Sequence, residues 1–221
     1  MTISVGIYLF DEVEVLDFSG PFEVFSTASR VHSKLGRRDA LPFNVHLIAD
    51  AVRPVRARGG LLVSPPFSIA NHPKLDVLLI PGGDVTRELA RSEVIQWIEW
   101  TYPTVQLTAA ICTGAFLLAK ARLLNDRRAT THWEDLDDLR AAFPRVTVVD
   151  KVRWVEDGRL ITSAGISAGI DMCLHLVEKL VDPGLAVATA KQMDYPWIRN
   201  LSTASGIPFE KFESSTSVIN K

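Results

Sequence analysis

The chain has 221 residues, 47% of them hydrophobic, and 24 Lys+Arg stand against 26 Asp+Glu for a formal net charge of -2. That apolar share excludes intrinsic disorder, and the near-neutral balance offers no basic surface for nucleic acid or an acidic membrane. The length suits a single α/β domain over residues 1–221.

Residues 3–10 form an apolar β-rich run and are expected to be the first strand. A loop follows with Asp11, Glu12, Glu14 and Asp17, of which Glu12 and Glu14 are expected to be solvated. Ser19-Gly20-Pro21 reads as a helix start, because proline at the first helical position gives up an N–H that has no partner there anyway. Glu23 would then sit in the first turn, and the helix should run to about Lys34. Residues 43–48 read as a second strand, and 52–64, broken by Pro and Gly, as short edge strands.

Residues 75–80 are nearly all apolar and read as a buried strand that ends in Pro81-Gly82-Gly83-Asp84. A helix is expected over 86–100, a buried strand over 105–111 and a helix over 113–124. The apolar stretch 105–118 is too short to span a membrane. Residues 132–142 predict an acidic amphipathic helix. Three short strands are expected over 146–149, 152–155 and 160–163, with Asp157-Gly158 as a hairpin signal. A long apolar helix over 166–180 and a further helix over 185–194 complete the pattern, and the tail after Trp197 reads as irregular. Buried strands alternating with helices predict a mostly parallel sheet covered on both faces.

In such sheets ligands collect at the carboxyl ends of the strands, and two ends here are unusual: Gly82-Gly83 and Cys112. Around Cys112 the pattern is Ala110-Ile111-Cys112-Thr113-Gly114, with small residues two before and two after the thiol. A nucleophile elbow needs this spacing, since its tight strand-turn-helix leaves no room for larger side chains. A free cysteine is otherwise often an inert core residue, which is the reading for Cys173 inside its helix. At an elbow the helix N-terminus would favour a thiolate, and the backbone N–H groups of Gly83 and Thr113 would be donors to a developing anion. Asp17, at the same end of the sheet, is the candidate acid; burial beside sulfur would favour its protonated form. His132 is a possible base, though it equally fits a hydrogen-bonded capping or packing role, and Asp84 is a possible rim residue. No Cys/His spacing suggests a metal, and the N-terminal residues carry no signal-peptide pattern, so a reducing cytoplasm with two free thiols is expected.

Five segments carry a resemblance: Leu16-Asp17-Phe18-Ser19-Gly20-Pro21-Phe22-Glu23-Val24-Phe25, Pro81-Gly82-Gly83, residues 111–119 from Ile111-Cys112-Thr113-Gly114, Arg128-Ala129-Thr130-Thr131-His132-Trp133, and residues 162–171 around Ala164-Gly165-Ile166. Together they resemble the isonitrile hydratase branch of the ThiJ/PfpI superfamily over about residues 3–190. The resemblance implies a flavodoxin-like three-layer sandwich of the class I glutamine amidotransferase type, commonly a homodimer, with no metal and no organic cofactor. It implies Cys112 as nucleophile, Asp17 as its acid, and a substrate pocket around Gly82, Gly83, Thr113, Gly165 and Ile166. Thr113 stands where proteolytic relatives carry histidine, which argues against a Cys-His protease. The implied reaction is hydration of an isonitrile to an N-substituted formamide through a covalent thioimidate. Asp84 departs from the small residue usual after Pro-Gly-Gly, and the C-terminal region matches only partly. The same motifs occur in the sensory half of AraC-type regulators, but about 40 residues follow Leu180, too few for two helix-turn-helix motifs. A glyoxalase- or deglycase-like enzyme and a ligand- or oxidation-sensing protein are the alternative readings.

Overall fold

A computed structural model describes residues 1–37 and 40–199. The expectation for the tail beyond Trp197 falls mostly on residues 200–221, outside the described residues. In chain order the elements are β1 (Ile3–Tyr8), α1 (Val15–Lys34), β2 (Phe43–Ala49), β3 (Val55–Arg56), β4 (Leu62–Val63), β5 (Phe67–Ser68), β6 (Val77–Ile80), α2 (Thr86–Leu89) and α3 (Ser92–Thr101). Then come β7 (Leu107–Ile111), α4 (Gly114–Lys120), β8 (Arg128–Ala129), α5 (Leu136–Ala142), β9 (Thr147–Val148), β10 (Trp154–Asp157), β11 (Leu160–Ser163), α6 (Ala168–Leu180) and α7 (Pro183–Gln192).

Seven strands form one sheet in the order β10-β11-β7-β6-β1-β2-β5. Only the β10–β11 pair is antiparallel; every other neighbouring pair is parallel. The chain steps one way from β1 to β2 and the other way from β6 to β7. Right-handed crossovers then put the intervening helices on opposite faces of the sheet. Accordingly α1, α6 and α7 pack against one another, and α2, α3 and α4 form a second group. All four residues of β6 and all five of β7 are buried, which is why both read as unbroken apolar runs. Among the described residues no helix is long and apolar enough to cross a membrane.

Several boundaries differ from expectation. α1 starts at Val15 and carries Pro21 inside it, so Asp17 lies in its first turn rather than in a loop. A bridge between Val13 and Gly83, and the bond from Glu14 N to Gly82 O at 2.9 Å, fix the chain's entry and start the helix early. The expected helix over 86–100 is two helices. Arg91 between them is extended, and its guanidinium reaches Asp50 at 2.9 Å and Glu93 at 2.9 Å. The expected helix over 132–142 begins as a 3-10 turn, Trp133–Asp135, and the one over 166–180 begins at Ala168. β3 and β4 pair only with each other, so β5 is the true edge of the main sheet. Of the strands expected near 146–155, β9 pairs with β8 in a separate two-stranded sheet, while β10 lies later, at Trp154–Asp157.

β6 and β7 approach closely where their carboxyl ends meet α4. A Cβ on Gly114 would lie 2.1 Å from Ile80 O and 2.8 Å from Pro81 O. Both obstacles are backbone atoms of buried strand ends and cannot rotate away. Gly114→Ala is therefore expected to lower stability by about 1–3 kcal/mol, read as a reduced urea midpoint at unchanged slope.

Candidate active site

The elbow forms as its spacing predicts. β7 delivers Cys112 at its end, and the residue is held at φ 54°, in the left-handed region that side chains rarely occupy. Hydrogen bonds fix it from both sides. Its N–H donates to Ser163 O at 3.1 Å, while its carbonyl accepts from Thr131 Oγ1 at 2.8 Å and Ala115 N at 3.2 Å. The thiol is buried, with the residue 8% exposed. Cys173 is fully buried in the core, as expected.

Asp17 arrives from the first turn of α1 and is also fully buried. Its Oδ2 accepts from Gly82 N at 3.0 Å. Its Oδ1 is buried with no hydrogen-bond partner, and the carboxyl as a whole interacts with the Cys112 side chain. Gly82 makes this convergence possible. A Cβ there would stand 2.7 Å from Thr113 N, 2.7 Å from Thr113 Oγ1 and 2.9 Å from Asp17 Oδ2. Thr113 locks the same loop, donating its hydroxyl to Gly83 O at 2.8 Å and accepting from Gly83 N at 2.9 Å.

Burial, opposed by the Gly82 N–H and reinforced by Glu14, raises the Asp17 carboxyl to about 7. Burial first, and the Asp17 charge second, push the Cys112 thiol up to about 12. Bonds from the Thr113 N–H and side chain pull the other way and are outweighed. The expectation of a thiolate favoured by the helix end is therefore corrected: desolvation and a neighbouring carboxylate outweigh the helix N–H groups.

A cavity of about 460 Å³ opens at the thiol, bordered by Gly83, Cys112, Thr113, His132 and Ile166 among the expected residues. It also takes in Glu14, Arg58, Trp133, Glu134 and Asp135, which the sequence reading did not assign to the site. Glu14, expected to be solvated, is half-buried and pairs with Arg58 at 3.3 Å. Arg58 comes from the chain between β3 and β4, and nothing local marks it. Three expectations change, and for His132 the capping alternative holds. Gly83 N is already bonded to Thr113 Oγ1, so it is not an open anion donor in this arrangement. Gly165 is the seat of the His132 ring, since a Cβ on it would lie 2.0 Å from His132 Cδ2. His132 Nδ1 is turned to Glu134 N, 3.4 Å away, and to the Asp135 carboxylate at 3.5 Å. Asp84 is exposed and accepts from Thr86 N at 3.0 Å, a turn at the start of α2 outside the cavity lining. Ile166 is held at φ 49° and is 40% exposed.

A mostly parallel α/β sheet with a left-handed cysteine at a strand end defines a strand-turn-helix elbow that carries a cysteine. Residues 3–179 match the DJ-1/PfpI family model, and the chain belongs to that family. It is 33% identical over 196 residues to the isonitrile hydratase of Pseudomonas putida, covering 88% of this chain and 79% of that one. It is also 30% identical over 178 residues to the HTH-type transcriptional regulator CdhR of Pseudomonas aeruginosa, covering 80% of this chain but only 51% of the regulator. Among solved structures, a ThiJ/PfpI family protein from Pseudomonas syringae superimposes with a TM-score of 0.77 at 25% identity, over 93% of this chain and 80% of that one. Drosophila melanogaster DJ-1beta does so at 0.74 and 22% identity, over 88% of this chain and 99% of that one, a likeness of fold.

Two measurements check the electrostatics. The folded Asp17 carboxyl keeps its proton up to about pH 7, whereas the unfolded one releases it near 3.8. Between those values the folded state binds more protons, so this contribution favours folding at low pH and is lost as pH rises through the window. Relative to Asp17→Asn, the wild type should lose up to about 4 kcal/mol of stability from pH 4 to pH 8, measured by urea unfolding. Alkylation of Cys112 by iodoacetamide should be slow at neutral pH and rise steeply into the alkaline range. Asp17→Asn, by removing a negative neighbour, should speed it at pH 7 by about tenfold, followed by mass spectrometry.

Proposed function

We propose that the protein is a cysteine-dependent enzyme that hydrates isonitriles to N-substituted formamides, with Cys112 as nucleophile and Asp17 as the proton carrier. The observation that carries this reading is a buried carboxyl, raised to about 7, set against a buried thiol. The similarity to an isonitrile hydratase supports the choice of substrate class. Near neutral pH the pair holds a thiol beside a carboxyl that is about half ionised. The sulfur attacks the terminal carbon of the isonitrile as the Asp17 carboxylate takes up the thiol proton. The carboxyl then delivers that proton to the same carbon. A C–S and a C–H bond form, the S–H bond breaks, and a thioimidate results.

Asp17, again ionised, draws a proton from water as the water oxygen adds to the thioimidate carbon, and passes that proton to nitrogen. The adduct's hydroxyl then gives up its proton through Asp17 to the departing sulfur as the C–S bond breaks. One water is consumed, the formamide leaves, and the thiol and carboxylate are restored. A single carboxyl alternates as acid and base, which suits a proton affinity close to ambient pH. Thr113 holds the glycine loop against the elbow and gives its N–H to the sulfur. The reading takes residues 1–221 as one domain that works as a homodimer in the cytoplasm, with no metal and no organic cofactor.

The regulator relatives favour a second reading, a non-catalytic binder of small molecules. Turnover separates the two. Wild type should release formamide from an aromatic isonitrile. Cys112→Ala should show none, and Asp17→Asn should lose at least about a hundredfold in kcat, as expected when a positioned acid-base is removed. Folded wild type that converts none of several isonitriles would overturn the hydratase assignment.

A further inference from the structure

Segments from three parts of the chain meet beside Asp17. Glu14 stands just before α1, and its carbonyl accepts from Asp17 N at 3.2 Å. Its own N–H donates to Gly82 O at 2.9 Å, while Gly82 N donates to Asp17 Oδ2 at 3.0 Å, so both residues hold the same glycine. Arg58 N donates to Val13 O at 3.0 Å, and Val13 also bridges to Gly83. The turn that presents Arg58 is tight and anchored. Ala57 before it is fully buried, and Gly59 and Gly60 after it take φ 70° and φ 86°, values that favour glycine. From that turn the guanidinium reaches Glu14 Oε2 at 3.3 Å.

Arg58 is the only lysine or arginine among the described residues that border the thiol cavity, against Glu14, Glu134 and Asp135. With 54% of its side chain exposed, its ion pair contributes little to folding. Its position bears on the site instead. After burial and the Gly82 N–H, the next influences on the Asp17 carboxyl are Glu14, which opposes its ionised form, and Arg58, which favours it. The other elements bring few competing charges. Cys112 faces Asp17 from the elbow, and Asp135 acts on the thiol. His132 and Glu134 border the same cavity. α6 packs on α1 through Ile170 at Gly20, and its Asp171 is paired with Arg153.

We propose that Arg58 and Glu14 are positioning residues that act through Asp17, an opposed pair of charges that sets the pH at which this carboxyl passes from acid to base. Arg58 favours the carboxylate and Glu14 opposes it. The proposal deepens the hydratase reading by naming what regulates its proton carrier, and it rests on that reading only for the kinetic arm of the test.

The first arm follows the Asp17 carboxyl by carbon-13 NMR in protein labelled at aspartate, its signal assigned by its loss in Asp17→Asn. Arg58→Met should move the titration midpoint to higher pH by about half a pH unit or more, and Glu14→Gln should move it to lower pH by a similar amount. Arg58→Lys keeps the charge and should stay near wild type. Because Arg58 is half-exposed, the separation between the two charge-removing variants should shrink as ionic strength rises from about 0.05 M to about 1 M. Each variant is first shown to be folded by its thermal transition. The two residues lie on separate segments, so the direction of one midpoint still decides if the other variant fails to fold. Midpoints that stay at the wild-type pH, that move in the same direction, or whose separation ignores salt would overturn the proposal. The second arm is kinetic. The rising limb of kcat/KM against pH for an aromatic isonitrile should move with the NMR midpoint in each variant. A limb that stays fixed while the midpoint moves would overturn the role in the reaction. Wild type that hydrates no isonitrile would sink the hydratase reading alone, the charge pair being decided by the NMR midpoints.

Discussion

The site depends on one steric constraint, the contact of two strand ends without side chains between them. Gly114 lies against Ile80 O, and Gly82 lies against Thr113 and Asp17. Because neither residue has a Cβ, the elbow of β7 and the loop after β6 can touch through backbone, and α1 can bring its first turn down onto both. That closeness buries Asp17 and most of Cys112. Burial then sets the chemistry, since desolvation is the largest cause of the raised proton affinity at both groups. Geometry and electrostatics therefore have a common origin in two glycines.

What could be read from the sequence was what local sterics dictates. The small residues around Cys112 announce an elbow because the turn admits nothing larger, and the left-handed φ of Cys112 agrees. The buried strands announce themselves by unbroken apolar runs. What could not be read came from distant parts of the chain. Ser19-Gly20-Pro21 is a sound helix-start signal, yet the bridge between Val13 and Gly83 starts α1 six residues before Pro21 and so places Asp17 on a helix. Arg58 reaches the thiol cavity from a remote loop with no local pattern to mark it, and Asp135 reaches it from the 3-10 turn that follows His132. The thiol itself was misjudged because the helix end is only one of several influences. Its N–H groups do favour a thiolate, but burial and one carboxylate outweigh them.

The relatives show how little the fold alone decides. An enzyme and transcriptional regulators match much the same stretch of this chain, and the chain spans about half the length of those regulators. A sheet with a conserved architecture can host either a reaction or a binding event, so function has to be argued from the site. A ligand sensor needs shape and hydrogen bonds. It has no use for a buried carboxyl that titrates near neutrality, and such a group destabilises the fold above that pH. The proposed role of Asp17 as proton carrier accounts for that destabilisation.

The same electrostatics separates hydration from oxidation sensing. Peroxide reacts with thiolate, and a sensor cysteine is one whose thiol ionises easily. Here thiolate formation is opposed by burial and by the Asp17 charge, because two adjacent anions in a dry site cannot both ionise readily. In the proposed mechanism sulfur becomes a strong nucleophile only as its proton passes to Asp17, so attack and proton transfer are linked. An isonitrile carbon suits that linkage unusually well: it must accept a nucleophile and a proton at the same atom. In the proposed mechanism the Asp17–Cys112 pair supplies both, the sulfur directly and the proton by way of Asp17, without an ion pair having to persist in the buried site.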